Sequence, residues 1–354
     1  MRLGIIGLPQ SGKTTVFNAL TRGHQPLTTS GGRFDVHTGV VDVPDGRVDR
    51  LSAMFIPKKT IYAKVTYADI AGLEGSQSAI SGQLLNLLTQ MDGLLHVVRC
   101  FEDEGVPHPS GSVDPLRDIT TMDAELLLND MIAVERKLER LAEEHKKGSG
   151  RERAVIERET ALFERFHEAL SSEVSLREVE LTAEEEKTLA GFGFLTRKPM
   201  LVLLNLQEGQ DAPLVEYSHP HCNLVALQGK LEMEIAQLGA DDVEAFMHEY
   251  GITELGLARV ISVSYDLLGL ISFFTVGADE VRAWTIHRGA SAYEAAGEIH
   301  TDLQKGFIRA EVIPYDELIS LGGLVEAKAK GRLRLEGKEY IVQDGEIVHI
   351  RFNV

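Results

Sequence analysis

Three observations place this chain in the α/β class, with a parallel sheet as its main layer, a long helical insertion and a small α+β module towards its C-terminus. A glycine-rich loop, Gly7-Leu8-Pro9-Gln10-Ser11-Gly12-Lys13-Thr14, sits between an apolar strand and a helix. Short apolar strands alternate with polar loops and helices as far as about Asp118, the pattern of a parallel sheet. Residues from about Thr120 to Lys147 then run without Gly or Pro and carry apolar positions at helical spacing.

Arg2-Leu3-Gly4-Ile5-Ile6 reads as a buried strand, and Thr15-Val16-Phe17-Asn18-Ala19-Leu20 as the start of a helix. Strand, loop and helix in that order give the G-x-x-x-x-G-K-[ST] pattern its phosphate-binding meaning. Glycines let backbone N–H groups turn inward around phosphate oxygens at the positive end of a helix. Pro9, Gln10, Ser11, Gly12, Lys13, Thr14 and Thr15 form the expected nucleotide-binding segment. In it the Lys13 ammonium reaches the outer phosphates and the Thr14 hydroxyl ligates Mg²⁺. No G-x-G-x-x-G fingerprint of a dinucleotide site is present here.

The strand starting at Val65 ends in Asp69-Ile70-Ala71-Gly72. This D-x-x-G fits the second half of a phosphate-loop NTPase. Asp69 is the expected second Mg²⁺ residue, and the Gly72 N–H the sensor of the γ-phosphate. Leu73 follows, where many GTPases carry a glutamine that orients the attacking water; leucine has no hydrogen-bonding group, so another residue must do this.

Gly93 to Phe101 reads as a strand buried on both faces. Met122, Leu126, Met131, Val134, Leu138 and Leu141 then recur at steps of three to five, and Ile156, Phe163, Phe166 and Leu170 continue the pattern beyond a break at Lys146 to Gly150. Two long antiparallel helices are expected, with a basic tip of His145, Lys146, Lys147, Arg151 and Arg153. Thr182 and Glu185 make a capping box for a further helix. The strand Pro199 to Asn205 returns to the sheet, so the helical pair is an insertion. The expected division is 1–118 plus 197–270 for the nucleotide domain, 119–196 for the hairpin and 271–354 for the C-terminal module.

A base-reading motif should follow this late buried strand. The residues are Asn205-Leu206-Gln207-Glu208, not N-K-x-D. The Asn205 amide can donate to purine N7, which adenine and guanine share, and Leu206 offers an apolar contact to the base plane. Glu208 is one methylene longer than the aspartate that accepts the guanine N1–H and N2–H₂. Guanine selectivity is therefore impaired, without adenine selectivity being proven.

The formal charge of −18 argues against duplex DNA as the main partner. Two cysteines, no leader pattern and no membrane-length apolar run give the expectation of a cytoplasmic protein. His219, His221 and Cys222 lack a second pair with zinc spacing and read as a polar loop. Lys328, Lys330, Arg332, Arg334 and Lys338 form a second basic patch. Two basic faces on an acidic body suit a ribonucleoprotein contact.

These residues resemble the YchF/EngD group of Obg-related P-loop NTPases, the Obg-like ATPases. The resemblance runs through the phosphate loop, Thr38-Gly39-Val40-Val41-Asp42-Val43-Pro44-Asp45, Asp69 to Leu73, His96-Val97-Val98-Arg99-Cys100-Phe101-Glu102-Asp103 and Asn205…Glu208. In the C-terminal module it is carried by Val281 to Ile286, Gly306 to Val312 and Asp344 to Val354. It covers nearly the whole chain. It implies an Obg/TRAFAC-type G domain with a helical coiled-coil insertion and a ubiquitin-like β-grasp TGS domain. It also implies Mg²⁺-dependent hydrolysis of ATP in preference to GTP, and association with ribosomes or ribosomal RNA. A monomer is expected. The family's catalytic histidine, on a mobile loop, falls on His108, between Pro107 and Pro109. Three segments depart from the family pattern. Gln10 replaces an asparagine linked to monovalent-cation binding, Arg33 stands at the switch I threonine, and Glu74 to Ser78 is poorer in glycine and lysine than the family pattern.

A slow regulatory ATPase, a GTPase of the same fold and a non-enzymatic nucleotide-sensing adaptor all remain open on these residues. Turnover with and without ribosomes separates the first from the last.

Overall fold

The computed structural model describes residues 1–23, 36–70, 82–147, 150–249 and 255–353. Contacts divide the chain into two compact units, residues 1–39 with 66–257, and residues 40–65 with 258–354. Leu73, Gly72, Thr28, Thr29, Arg33 and the segment Glu74 to Ser78 lie outside the described residues.

The first unit is built on a sheet in the order β2-β4-β1-β5-β6-β7. Its strands are β1 (Arg2–Ile6), β2 (Val36–Asp42), β4 (Lys64–Ile70), β5 (Gly93–Arg99), β6 (Met200–Asn205) and β7 (Cys222–Leu227); the short β3 (Lys59–Ile61) belongs to the second unit. β1 runs parallel to β4 and β5, β5 to β6, and β6 to β7. β5 and β6 are buried along their whole length, as their unbroken apolar runs require of central strands. The helices are α1 (Lys13–Thr21), α2 (Gly46–Phe55, in the second unit), α3 (Gly82–Thr89), α4 (Pro115–Lys147), α5 (Arg153–Ser171), α6 (Ala183–Leu189), α7 (Gly229–Ala236) and α8 (Ala240–Glu249), followed by α9 (Gly256–Leu267), which runs across the division.

The insertion is a hairpin of α4 and α5. At 33 residues α4 spans about 50 Å, with Pro115 at its first position, where a missing N–H costs nothing. Its apolar stripe serves two cores in succession. Ile119, Met122 and Leu126 join Leu84, Leu88, Val98 and Val202 on one face of the sheet. Val134 and Leu141 instead pack with Ile156, Phe163, Phe166 and Leu170 of α5. The Thr182–Glu185 capping box starts α6 as the sequence indicates. Asp130 clamps the hairpin to the chain returning towards β6. Its carboxylate accepts from the N–H groups of Leu195 and Thr196 and from the Thr196 hydroxyl.

The second unit holds a sheet in the order β11-β10-β12-β8-β9-β3. It comprises β8 (Leu270–Val276), β9 (Glu280–His287), α10 (Ala292–Ile299), α11 (Thr301–Lys305), β10 (Phe307–Pro314), α12 (Tyr315–Leu321), α13 (Leu324–Ala329), β11 (Arg334–Glu336) and β12 (Glu346–Phe352). Ala292, Ala295 and Ala296 lay α10 against Phe273, Ile286, Val312 and Val348. A mixed sheet crossed by a helix is the layout a β-grasp requires.

The contact division differs from the sequence division at one boundary. The sequence division keeps residues 40–65 in the nucleotide domain and begins the C-terminal module at 271. In the structure β3 pairs parallel with Glu280–Arg282 of β9, and Arg47 binds both Asp45 and Asp344. The strand pairing and the ion pairs hold 40–65 in the second unit.

Candidate nucleotide site

The phosphate loop closes between β1 and α1. Gly12 caps α1 from the left-handed region, at φ 92, and a Cβ there would fall on the Asn205 side-chain amide. Gly7, at φ 152, faces the Val97 carbonyl of the neighbouring strand, which also leaves no room for a Cβ. Both glycines are therefore required by conformation and by close approach. The Lys13 ammonium folds back over the loop and donates to the carbonyls of Gly7, at 3.1 Å, and Leu8, at 2.9 Å.

Thr14 and Asp69 meet beside the loop, the Thr14 hydroxyl donating to the Asp69 carboxylate at 2.9 Å. Burial pushes the Asp69 carboxyl above its ordinary range, against the pull of the Thr14 hydroxyl and the Lys13 charge. A hydroxyl and a desolvated carboxylate side by side are hard oxygen donors, and they fit a Mg²⁺ ion that keeps most of its own waters. The pair comes from the first turn of α1 and the end of β4, so sheet order alone brings them together across 55 residues.

Asn205 ends β6 and reaches back to the loop. Its amide donates to the Ser11 carbonyl at 3.0 Å, and its side-chain oxygen accepts the Gly229 N–H at 3.1 Å. One side chain thereby holds the phosphate loop and the start of α7 at a fixed spacing. Leu206 is buried beside it, and Glu208 is exposed. Gln210 orders the turn between them by accepting from the Gln207 N–H and donating to the Cys100 carbonyl. The sequence reading overlooks Gly229; its signal is a glycine opening a helix directly after the last strand of the sheet.

His96 lies under the site on β5, opposite Ile6 on one side and Val202 on the other. It is 1% exposed, and neither ring nitrogen has a hydrogen-bond partner among the described residues. Burial, helped by the Lys13 charge, lowers its pKa to about 3, so the ring is neutral. Residue spacing does not mark it, because one histidine in an apolar strand reads as core.

His108, which the resemblance places on a mobile loop, is enclosed in this structure. Its side chain is 2% exposed, and that of its partner Asp118 is 3% exposed. The Ser110 N–H donates to His108 Nδ1 at 3.1 Å, so Nε2 carries the proton and donates to the Asp118 carboxylate at 2.8 Å. Arg117 holds the other carboxylate oxygen with Nε and Nη2, and its guanidinium also donates to the carbonyl and hydroxyl of Ser112. Upstream, the buried Arg99 donates to the carbonyls of Phe101 and Val106 and braces the start of the loop. Burial, with the Asp118 charge adding to it, pushes the neighbouring Cys100 thiol up to about 12. The bonds to Asp118 and Arg117 hold this loop against α4.

Outside the site, His219 pairs with Glu178 and packs edge-on to Tyr217, while Cys222 accepts from Arg177. The basic tip of the hairpin is largely neutralised within itself. Lys147 pairs with Glu143, Arg151 with Glu144 and Glu159, and Arg153 with Glu157. In the C-terminal patch Arg332 and Arg334 pair with Glu317 and Glu346, and Lys328 and Lys330 are exposed. No helix among the described residues is long and apolar enough to cross a membrane.

Two family models match the chain. Residues 2–147 match MMR_HSR1, described as a 50S ribosome-binding GTPase. Residues 270–353 match YchF-GTPase_C, described as a protein of unknown function (DUF933). A Bacillus subtilis protein named ribosome-binding ATPase YchF is 40% identical over 99% of both chains. A Haemophilus influenzae protein of the same name is 39% identical over 100% of this chain and 99% of its own. The solved structure of the Schizosaccharomyces pombe YchF GTPase superposes with a TM-score of 0.87 at 30% identity, covering 99% of this chain and 97% of that one.

Proposed function

The chain belongs to the YchF family of P-loop NTPases, and on that premise we propose that it binds and hydrolyses ATP with Mg²⁺ as a slow switch working in contact with the ribosome. The observation that carries this reading is the pair of hydrogen bonds made by the Asn205 side chain, which ties the Ser11 carbonyl to the Gly229 N–H. Loop and base-side elements then respond to one ligand as a unit. The phosphates lie against the N–H groups of Gly7 to Thr14, and Lys13 exchanges two carbonyl partners for phosphate oxygens. Thr14 and Asp69 hold Mg²⁺, which neutralises charge on the phosphates.

Asn205 and Leu206 position the purine. Glu208, exposed and longer than aspartate, fits guanine poorly. Leu73 brings no group for the attacking water, and His108 supplies it. The C-terminal module acts as a TGS domain, and its exposed Lys328 and Lys330 contribute to a ribosomal contact. The names of the bacterial relatives, with their ATPase and ribosome-binding descriptions, support this reading.

GTP is the second substrate to consider, since the Schizosaccharomyces pombe relative is named a GTPase. Calorimetric titration of nucleotide-free protein with each nucleotide in Mg²⁺ buffer decides between them. ATP binding about tenfold tighter, a difference of ~1.4 kcal/mol, is expected; equal or tighter GTP binding overturns the ATP assignment. Co-sedimentation with ribosomes, weakening as salt rises, tests the partner.

A further inference from the structure

We propose that Asp118, in the first turn of the hairpin helix α4, is a positioning residue that stores His108 out of action, so that breaking the His108–Asp118 bond is a required step of each hydrolytic cycle. The inference rests on the catalytic reading of His108 above and adds the restraint on it.

Imidazole helps a water attack only through a ring nitrogen. In this structure both nitrogens are taken. Nδ1 accepts the Ser110 N–H, and Nε2–H is bonded to Asp118. The ring is buried, so no solvent water reaches it. Held in this way, His108 cannot polarise a water at any phosphate. At least one bond must open, and the two differ in how easily they do so. Ser110 lies two residues from His108, in a turn closed by the Gly111 N–H on the His108 carbonyl, and this bond can travel with the loop, so the proton stays on Nε2 and the freed Nε2–H orients the water or a phosphate oxygen as a donor. Asp118 belongs to α4 and cannot follow. The bond between Nε2 and Asp118 is the one that holds the loop to the helix.

The surroundings suit a bond that opens and closes. A buried carboxylate stripped of its only partner is strongly disfavoured. Asp118 is not left in that state, because Arg117 already donates twice to its other oxygen. Arg117 is half-exposed and also holds Ser112 on the far end of the loop. It can compensate the carboxylate when His108 leaves and receive the histidine again afterwards. α4 carries this latch at its root and the tip of the hairpin at its far end, so a partner that shifts α4 acts on the latch directly.

The test is single-turnover and steady-state ATP hydrolysis by the full chain, without ribosomes, for wild type, Asp118→Asn, His108→Ala and the double variant. Asparagine keeps the shape but turns a charge-assisted bond into a neutral one, weakening the latch. Asp118→Asn is expected to raise kcat about five- to tenfold, with KM unchanged. The double variant is expected to fall to the level of His108→Ala. A merely structural Asp118 would lower the melting temperature without raising kcat. A fall in kcat for a folded Asp118→Asn overturns the latch and makes Asp118 a working partner of His108; an unchanged kcat also overturns it. Wild-type turnover in His108→Ala removes the catalytic reading itself.

A second readout does not depend on turnover. The ¹⁵N signals of the His108 ring should show the Nε2–H form, bonded to carboxylate, in nucleotide-free protein. They should lose that bond with a non-hydrolysable ATP analogue and Mg²⁺. Ring signals that do not change on saturation overturn the proposal.

Discussion

Replacing His96 with leucine should change how stability depends on pH. His96 is 1% exposed with both ring nitrogens unpartnered among the described residues, and its pKa is lowered from 6.5 to about 3. The folded value lies below the unfolded one. The unfolded chain therefore binds the proton first, and stability is lost as pH falls from about 6.5 towards 3. By pH 5 the ring has crossed about 1.5 units of that window, or ~2 kcal/mol at 1.36 kcal/mol per unit. His96→Leu removes this term. It also replaces two unpaired nitrogens with carbon among apolar neighbours, so the variant should be no less stable than wild type at neutral pH. The single tryptophan, Trp284, lies in the second unit, and its fluorescence does not report on β5. Hydrogen exchange of the β5 amides does. Measured at about pH 7.5 and pH 5, the stability difference between variant and wild type should move by ~2 kcal/mol in favour of the variant at the lower pH. A difference independent of pH would refute the buried, neutral ring.

Three further outcomes are expected. Asp69→Asn should abolish Mg²⁺-dependent turnover yet raise the thermal stability of nucleotide-free protein near neutral pH. Burial raises the Asp69 pKa, so its carboxylate is a folding burden above that range, and the two readouts must move in opposite directions. Asn205→Ala strands the Ser11 carbonyl and the Gly229 N–H. It should weaken both ATP and GTP at least about tenfold by calorimetry, whatever the base preference of wild type. Phe163→Ala should destabilise the hairpin by about 3–5 kcal/mol, seen as faster exchange in α5 and the tip-side half of α4, with nucleotide affinity unchanged.

Much of the site was legible because it is written in short segments. The phosphate loop, Asp69 at a strand end and Asn205 after a buried strand each pair a residue type with a local position, and an α/β sheet delivers strand ends to one edge. The Thr182–Glu185 box was legible for the same reason, since its chemistry spans only four residues. The hairpin was legible as two helices, but not as two cores, because periodicity shows which face is apolar without saying what covers it.

The chain by itself determined the class of fold, and it supplied the phosphate-loop, Asp69 and Asn205…Glu208 segments on which the nucleotide reading rests. These follow from backbone conformation, strand order and functional-group identity, all of which local sequence specifies. Tertiary structure decided three other matters. It assigned residues 40–65 to the second unit through pairing with a strand more than two hundred residues away. It left the His96 ring nitrogens without hydrogen-bond partners among the described residues. It enclosed His108 against Asp118, where its residue type and proline neighbours suggest only a surface loop. Each depends on what packs against a side chain from a distant part of the chain, which no local pattern encodes.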